Sequence, residues 1–401
     1  MFFVSDKKLK IEKPIRLIEL FAGVGAQAKA FENINADFEH YFVCEFDEKA
    51  VRSYNAIHHT EFSTCDVTKI KASDLNIVDV DNYVYLLTYS FPCTDISTAG
   101  KMLGMQKGSG TRSSLLWEVK RLLTECDNLP QILLMENVTQ VHLNKNRESF
   151  GRWCEFLSGL GYTNYMNDLC ASDYDVPQTR VRTFMISVLG DLRYDFPNKL
   201  NLSKKFTDLL QTCVDVRHYI LSDFGRFVVN RFLADKYLPD FSNSSENEKL
   251  LSEYIYISDN DIDAVVKRSC VLCGQISKDM KVQKTDENIT KQRFRLKKAQ
   301  ILGTLTTVEK DNVIFEAYEI CSEMSQKFKD YFRDCFYTFN DKTYLCLLRY
   351  LTPRECFRFM GFGDEDFDNV EKLNLSDDCL YKQSGNSIVV DVLMKIFESM
   401  L

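Results

Sequence analysis

Between Arg16 and Leu189, short apolar runs alternate with stretches whose apolar residues fall three and four positions apart. The runs RLIELF (16–21), YFVCEF (41–46), VYLLTYS (84–90), QILLME (131–136) and RTFMISVL (182–189) read as strands. AQAKAFENI, DEKAVRSYNAIH, SSLLWEVKRLLTEC and ESFGRWCEFLSGL, which lie between them, carry helical spacing. Strand–helix alternation of this kind predicts an α/β fold with a mostly parallel, doubly wound sheet, whose ligands sit at the carboxyl ends of the strands. Residues just after each strand are therefore the first candidates for chemistry.

Beyond residue 190 the pattern dissolves. Residues 190–345 look irregular and include FSNSSENEK and KQRFRLKKAQ (291–300), where Lys291, Arg293, Arg295, Lys297 and Lys298 have no acid between them. A separate module of about 150 residues is expected, well within the usual domain range. RYLTPRECFRFMGF and QSGNSIVVDVLMKIFESML then restore helical periodicity, and the last segment is expected to pack back on the first domain. The expected division is 1–190, 191–345 and 346–401, with no internal repeat.

Charge and cysteine content narrow the setting. The formal net charge is −8, so nucleic-acid binding requires a local basic patch rather than the molecule as a whole. Fourteen cysteines are scattered through a chain of 401 residues, and the start, MFFVSDKKLKIEK, turns charged too soon for a signal peptide. Reduced thiols in a cytoplasm are expected. No stretch approaches the roughly 20 apolar residues that cross a bilayer.

The strand ends carry the chemistry. FAGVG (21–25) places two glycines at the first turn, where a backbone can approach a ligand closely. The turn lacks the third glycine of a G-x-G-x-x-G dinucleotide fingerprint, so a pyrophosphate site is disfavoured. Glu45 follows Gly25 by 45 − 25 = 20 residues, the spacing of a carboxylate that holds a ribose, and Asp66 can accept from a purine amine. Taken singly, these are equally a tight turn and two surface acids; together they describe an adenosine-like ligand without a phosphate clamp. Cys93 ends the third run beside a loop, TAGKMLGMQKGSGTR (98–112), far longer than the usual connection of about 4 to 6 residues. A thiol there is a nucleophile if its pKa is lowered, and otherwise a structural cysteine. Glu136 emerges at the same sheet edge, while Arg180 and Arg182 share one face of an extended segment, suited to a phosphate, a polarised carbonyl or plain exposure. Cys270 and Cys273 form a C-x-x-C with no second pair at zinc spacing, so no metal is expected. Ile96 occupies the second ligand position of a P-C-x-x-C signature, which excludes a zinc nucleobase deaminase.

FAGVG, SFPC, ENV, QTRVR and GNS occur in this order, with a variable segment before the last, and GSGTRSSLLWE (108–118) follows the cysteine. In these motifs the chain resembles the bacterial DNA cytosine-5 methyltransferases. The resemblance covers residues 16–190 and 349 to the end; between them only GTLTT (303–307) is similar.

The resemblance implies a Rossmann-like, S-adenosylmethionine-dependent methyltransferase sheet, with a smaller, irregular target-recognition domain inserted before the C-terminal helix. It implies that Phe21, Gly23 and Gly25 form the cofactor turn, that Glu45 takes the ribose, and that Phe46 stacks on adenine. Asp66 and Val67 meet the adenine edge, Pro92 borders the cofactor, and Asn386 and Ser387 close the pocket. Cys93 is the nucleophile at C6 of a cytosine flipped from double-stranded DNA, Glu136 serves N3, Arg182 holds the O2 edge, and Arg180 supports the loop or a phosphate. DNA contacts are expected from Thr94, Lys107, Arg112, the cluster from Lys291 to Lys298, and Thr304. Thr94 departs from the family members that this chain resembles, which usually carry glutamine after Pro-Cys. A monomer in the cytoplasm of a bacterial or phage-infected cell is expected, associated with the nucleoid and working beside a cognate restriction endonuclease. A tRNA cytosine-5 methyltransferase and a catalytically inactive DNA-binding homologue are the rival readings.

Overall fold

The computed structural model describes residues 6–93, 95–96, 105–106, 108–143, 146–212, 214–220, 265–273, 295–296, 301–305, 312–320, 326–333, 335–339 and 342–401. The chain divides into two compact units, residues 1–203 with 359–401, and residues 204–358.

The first unit is built on a six-stranded sheet of β1 (Ile15–Leu20), β2 (Phe38–Cys44), β3 (Val84–Tyr89), β4 (Ile132–Asn137), β5 (Tyr162–Cys170) and β6 (Val181–Leu189). Their spatial order is β2-β1-β3-β4-β6-β5. β1 pairs in parallel with β2 and β3, and β3 with β4, whereas β6 runs antiparallel to both β4 and β5. The central strands explain the continuous apolar runs: every residue of β4 is buried, and five of six in β1. β5 was not legible as a strand. Its YTNYMNDLC carries three consecutive exposed residues, Met166 to Asp168, because it lies at a sheet edge and is held by pairing along its whole length with β6.

Four helices, α1 (Ala26–Asn33), α2 (Glu48–His58), α3 (Leu116–Glu125) and α4 (Arg147–Gly159), follow the strands as the spacing predicted. Asp47 caps α2 by accepting from the Lys49 amide. Trp153 of α4 is fully buried and donates to the Tyr89 hydroxyl beneath the sheet, at 3.2 Å. The chain re-enters this unit through α7 (Asp364–Glu371), α8 (Asp377–Asn386) and α9 (Val390–Glu398). α9 packs on α1, where Phe397 stacks on Phe31 with ring centroids 3.9 Å apart.

The second unit is not irregular: it holds a five-stranded antiparallel sheet. β7 (Val265–Cys273), β8 (Arg295–Leu296), β9 (Asn312–Ile320), β10 (Phe336–Phe339) and β11 (Lys342–Tyr350) lie in the order β10-β11-β9-β7-β8. α5 (Gln326–Tyr331) and α6 (Pro353–Phe359) accompany it. The alternation in β9 was hidden because one of its buried positions, between Ile314 and Tyr318, is an acid, Glu316. Arg349 of β11 is buried against it, 2.8 Å from Glu316, and grips Glu355 through both terminal nitrogens at 2.8 and 2.9 Å. The Tyr219 hydroxyl donates to the other oxygen of Glu316, Oε2, at 2.8 Å, and Tyr318 does so as well. Among the described residues, no helix is long and apolar enough to cross a membrane.

Candidate active site

β1 runs into a turn that a normal backbone cannot make. Phe21, Gly23 and Gly25 all have positive φ, at 60°, 60° and 81°. Phe21 pays for a left-handed conformation with hydrogen bonds from its own amide and that of Ala22 to the Cys44 carbonyl, at 2.8 and 3.3 Å. The two glycines differ. A Cβ on Gly23 would meet nothing within 4 Å, whereas one on Gly25 would lie 2.2 Å from Nε2 of His58. Gly23 thus borders open space, and Gly25 is required by what lies behind it.

β2 stops at Cys44, earlier than the sequence run, so Glu45 and Phe46 stand in the loop at its carboxyl end. Both oxygens of Glu45 are fixed by backbone: Gly23 N–H donates to Oε2 at 2.9 Å and Asp47 N–H to Oε1 at 2.8 Å. Phe46 is 75% exposed, an aromatic ring left open beside a fixed carboxylate. The Cys65 amide donates to the Glu45 carbonyl at 2.8 Å and brings Asp66 to the same edge. Asp66 accepts from the Thr68 hydroxyl and amide at 2.7 and 3.0 Å, and these bonds hold its carboxyl below the usual range. Val67 beside it is buried.

β3 delivers Pro92 and Cys93, both half-buried, and three polar groups fix their backbone. Asn137, at the end of β4, donates to the Phe91 carbonyl at 2.9 Å; Ser113 donates to the Pro92 carbonyl at 2.7 Å; the Ile96 amide closes on Cys93 O at 3.0 Å. Asp95 is buried and accepts from the amides of Arg112 and Ser113, at 2.7 and 3.4 Å, so the residues that follow Cys93 are tied to the start of the next helical turn. Asn137 and Ser113 lie within the motifs ENV and GSGTRSSLLWE, but neither they nor Asp95 carry a role that the sequence alone assigns.

Glu136 on β4 is buried, and its Oε1 receives no hydrogen bond from the described residues, although Arg182 Nε lies 3.3 Å away as an ion-pair partner. Burial pushes its carboxyl up from the ordinary value, against the pull of Arg182 and Arg180. Burial likewise pushes up the Cys93 thiol, Glu136 adds to the effect, and the two guanidiniums oppose it. Arg180 is buried and donates to the carbonyls of Gly385 and Ser387 at 3.1 and 2.7 Å. Burial and the neighbouring Arg182 push its pKa down to about 9. Ser387 is therefore buried at the end of α8, with Asn386 exposed beside it. The structure brings together Cys93, Glu136, Arg180, Arg182 and Ser387 at one edge, and Phe21, Gly23, Gly25, Glu45, Phe46, Asp66 and Val67 along the neighbouring strand ends.

Residues 15–401 match the profile of a family described as C-5 cytosine-specific DNA methylase. The chain belongs to this family. A type II methyltransferase of Lactococcus lactis subsp. cremoris, M2.ScrFI, is 29% identical over 434 aligned positions that cover 96% of this chain and 99% of that protein. The orphan methyltransferase M.SssI of Spiroplasma monobiae is 36% identical over 278 positions, 56% of this chain and 72% of its own length. The methylase shares its fold with the solved Dnmt2 methyltransferase of S. pombe, at a TM-score of 0.57 and 19% identity over 97% of this chain and 98% of that one. A putative DNA modification methyltransferase from an E. coli prophage gives 0.55 at 18% identity, over 96% and 98%.

The DNA contacts expected of the methylase are mostly out of view. Thr94, Lys107, Lys291, Arg293, Lys297 and Lys298 lie outside the described residues, as does most of the 98–112 loop. Arg112 is exposed at the start of a short 3-10 turn, Arg295 lies in β8, and Thr304 is half-buried in the second unit.

Proposed function

We propose that this methylase transfers a methyl group to C5 of a cytosine flipped out of duplex DNA, through a covalent adduct between Cys93 and C6. The observation that carries the reading is the meeting of Cys93 with a buried Glu136, whose carboxyl is held toward its neutral form, beside Arg182. Burial holds the Cys93 thiol up in the free protein, so it must release its proton to solvent, with Arg182 and Arg180 favouring the anion, before the thiolate adds at C6. That addition turns C5 into a nucleophilic enamine carbon and drives electron density onto N3. Glu136, protonated, supplies N3 with a proton and afterwards takes it back. Arg182 faces the ring's O2 edge and keeps Glu136 in place. Arg180 acts on the chain itself, tying the Gly385–Ser387 segment to the start of β6. Loss of the C5 proton to a base then expels Cys93 as the thiolate.

S-adenosylmethionine is the donor this reading requires, and the residues fit it. Open space at Gly23, a carboxylate fixed at Glu45 and an open ring at Phe46 form a cradle for an adenosine, with Asp66 and Val67 at its far edge and Pro92, Asn386 and Ser387 bordering it. When bound, the cofactor supplies an electrophilic methyl group on a sulfonium. The second unit, with Thr304 and the basic segment from Lys291 to Lys298, is proposed to read the DNA sequence. A restriction endonuclease acting on the same site is proposed from the type II relative. The test is incubation with duplex DNA containing 5-fluorocytosine and S-adenosylmethionine: the wild-type chain should be trapped as a denaturant-stable adduct. Cys93→Ala should bind the same DNA and trap none, and an adduct formed by that variant would overturn the mechanism.

A further inference from the structure

Behind the glycine turn lies a polar network that methyl transfer itself does not use. It gathers Glu19 from β1, Lys29 and Glu32 from α1, His40 from β2, and Tyr54 and His58 from α2. The His58 side chain is wholly buried. Its Nε2 lies 3.1 Å from the Val24 carbonyl and its Nδ1 2.6 Å from Glu32 Oε1. A carbonyl and a carboxylate only accept, so both ring nitrogens carry hydrogen and His58 is an imidazolium. Glu32 is kept ionised to receive it. Burial works against its charge, but hydrogen bonds from His40 and His58 and the Lys29 ammonium, 3.3 Å from Oε2, hold its carboxyl well below the ordinary value.

The ring also sets the sequence in front of it. Any side chain at residue 25 would strike His58 and the Tyr54 ring, at 2.2 and 2.6 Å. His58 is therefore the floor on which the turn rests, and its bond to Val24 O fixes the peptide between Gly23, which faces the open cradle, and Gly25, which faces the ring.

We infer that His58, held charged by Glu32, is a positioning residue for the cofactor: it pins the Val24 carbonyl and so sets the glycine turn that S-adenosylmethionine must lie against. The inference rests on the proposed cofactor site. The groups facing His58 are Glu32 on α1, the His40 ring on β2 at 5.3 Å, and the Tyr54 ring on its own helix at 4.4 Å. Behind them stand Glu19, which accepts from Tyr54, and Asp366 on α7, which pairs with Lys29. Both bonds together fix the ring, so removing either His58 or its Glu32 partner frees the Val24 carbonyl.

The test is calorimetric binding of S-adenosylmethionine to the full chain, with melting temperature and saturated turnover measured alongside. His58→Gln and Glu32→Gln should each weaken binding by about ten- to a hundredfold, the usual effect of removing a group that orients a ligand-bearing residue. Turnover at saturating cofactor should stay within about threefold, because the interaction is made equally before and during the reaction. Unchanged affinity in both variants would overturn the inference, and so would a parallel loss of binding, turnover and melting temperature in Glu32→Gln, which marks general destabilisation. Should His58→Gln fail to fold, Glu32→Gln carries the test, since it keeps size and removes only charge. Phe46→Ala is the control for the underlying reading: if it too binds normally, the cofactor site itself is misplaced.

Discussion

A carboxyl group at the end of a fully buried strand must give up either its charge or its burial, and Glu136 has kept the burial. Among the described residues its ion-pair partner is Arg182, which approaches at 3.3 Å without forming a hydrogen bond to Oε1, so that oxygen is left for a ligand. Glu136→Gln preserves the shape and deletes the proton that N3 requires. Single-turnover methylation should slow by about 10²- to 10⁴-fold, the range of general acid–base catalysis, while the DNA dissociation constant measured by gel shift stays close to wild type. The folded-state pKa lies above its unfolded value, so wild-type stability drops as pH rises through that pKa, when a buried charge must form. The variant lacks this loss, and denaturant melts should show it gaining on the wild type as pH rises above the ordinary carboxyl range. Cys93 and Glu136 were legible from their place after strands. The roles of Asn137, Ser113 and Asp95, which fix the backbone around Cys93, were not, because they act on backbone carbonyls and amides that only the folded chain brings within reach.

The turn between β1 and α1 separates two uses of one residue type. Gly23 needs a positive φ but has open space where a side chain would go; Gly25 has a positive φ and a collision with His58. Gly23→Ala should therefore cost only about 1 kcal/mol of backbone strain, yet place a methyl in the cradle. Gly25→Ala adds the displacement of a buried ring. Calorimetric binding and thermal melts on both variants should show Gly23→Ala losing cofactor affinity with little change in melting temperature, and Gly25→Ala losing both. The motif FAGVG marks both glycines and gives no sign of this difference. His58 also sits at a helix end, where a basic residue is commonplace, so nothing in the chain before folding points to its contact across α1. At this scale the central parallel strands β1, β3 and β4 were readable because a strand buried on both faces is apolar almost throughout. β5 and β9 were not, since an edge strand tolerates polar residues and a buried acid such as Glu316 breaks the alternation that marks a strand.

The methylase carries a net charge of −8 and has to bind a polyanion, so its charges must be distributed unevenly. Inside the second unit, Arg349 stands between two buried carboxylates, and removing it as Arg349→Met would leave Glu316 and Glu355 without their cation. Such a loss costs about 3 to 5 kcal/mol, visible in chemical denaturation, while cofactor binding by the folded protein should persist because the glycine turn belongs to the other unit. The surface poses the opposite problem. The five cations from Lys291 to Lys298 form the chain's longest acid-free basic run in the proposed recognition module, and the acidic remainder of the molecule repels DNA. Each phosphate neutralised by this run releases condensed counterions, which makes the dependence of affinity on salt a direct count of the contacts. Replacing Lys297 and Lys298 with glutamine should weaken binding to cognate and unrelated duplexes alike and flatten the slope of log K against log salt by about 1.8, or 0.9 for each lost phosphate contact. Fluorescence anisotropy over a range of salt concentrations measures both. A slope that does not change would place the DNA contacts elsewhere, and a loss confined to the cognate duplex would mean that the cluster reads bases instead of phosphates.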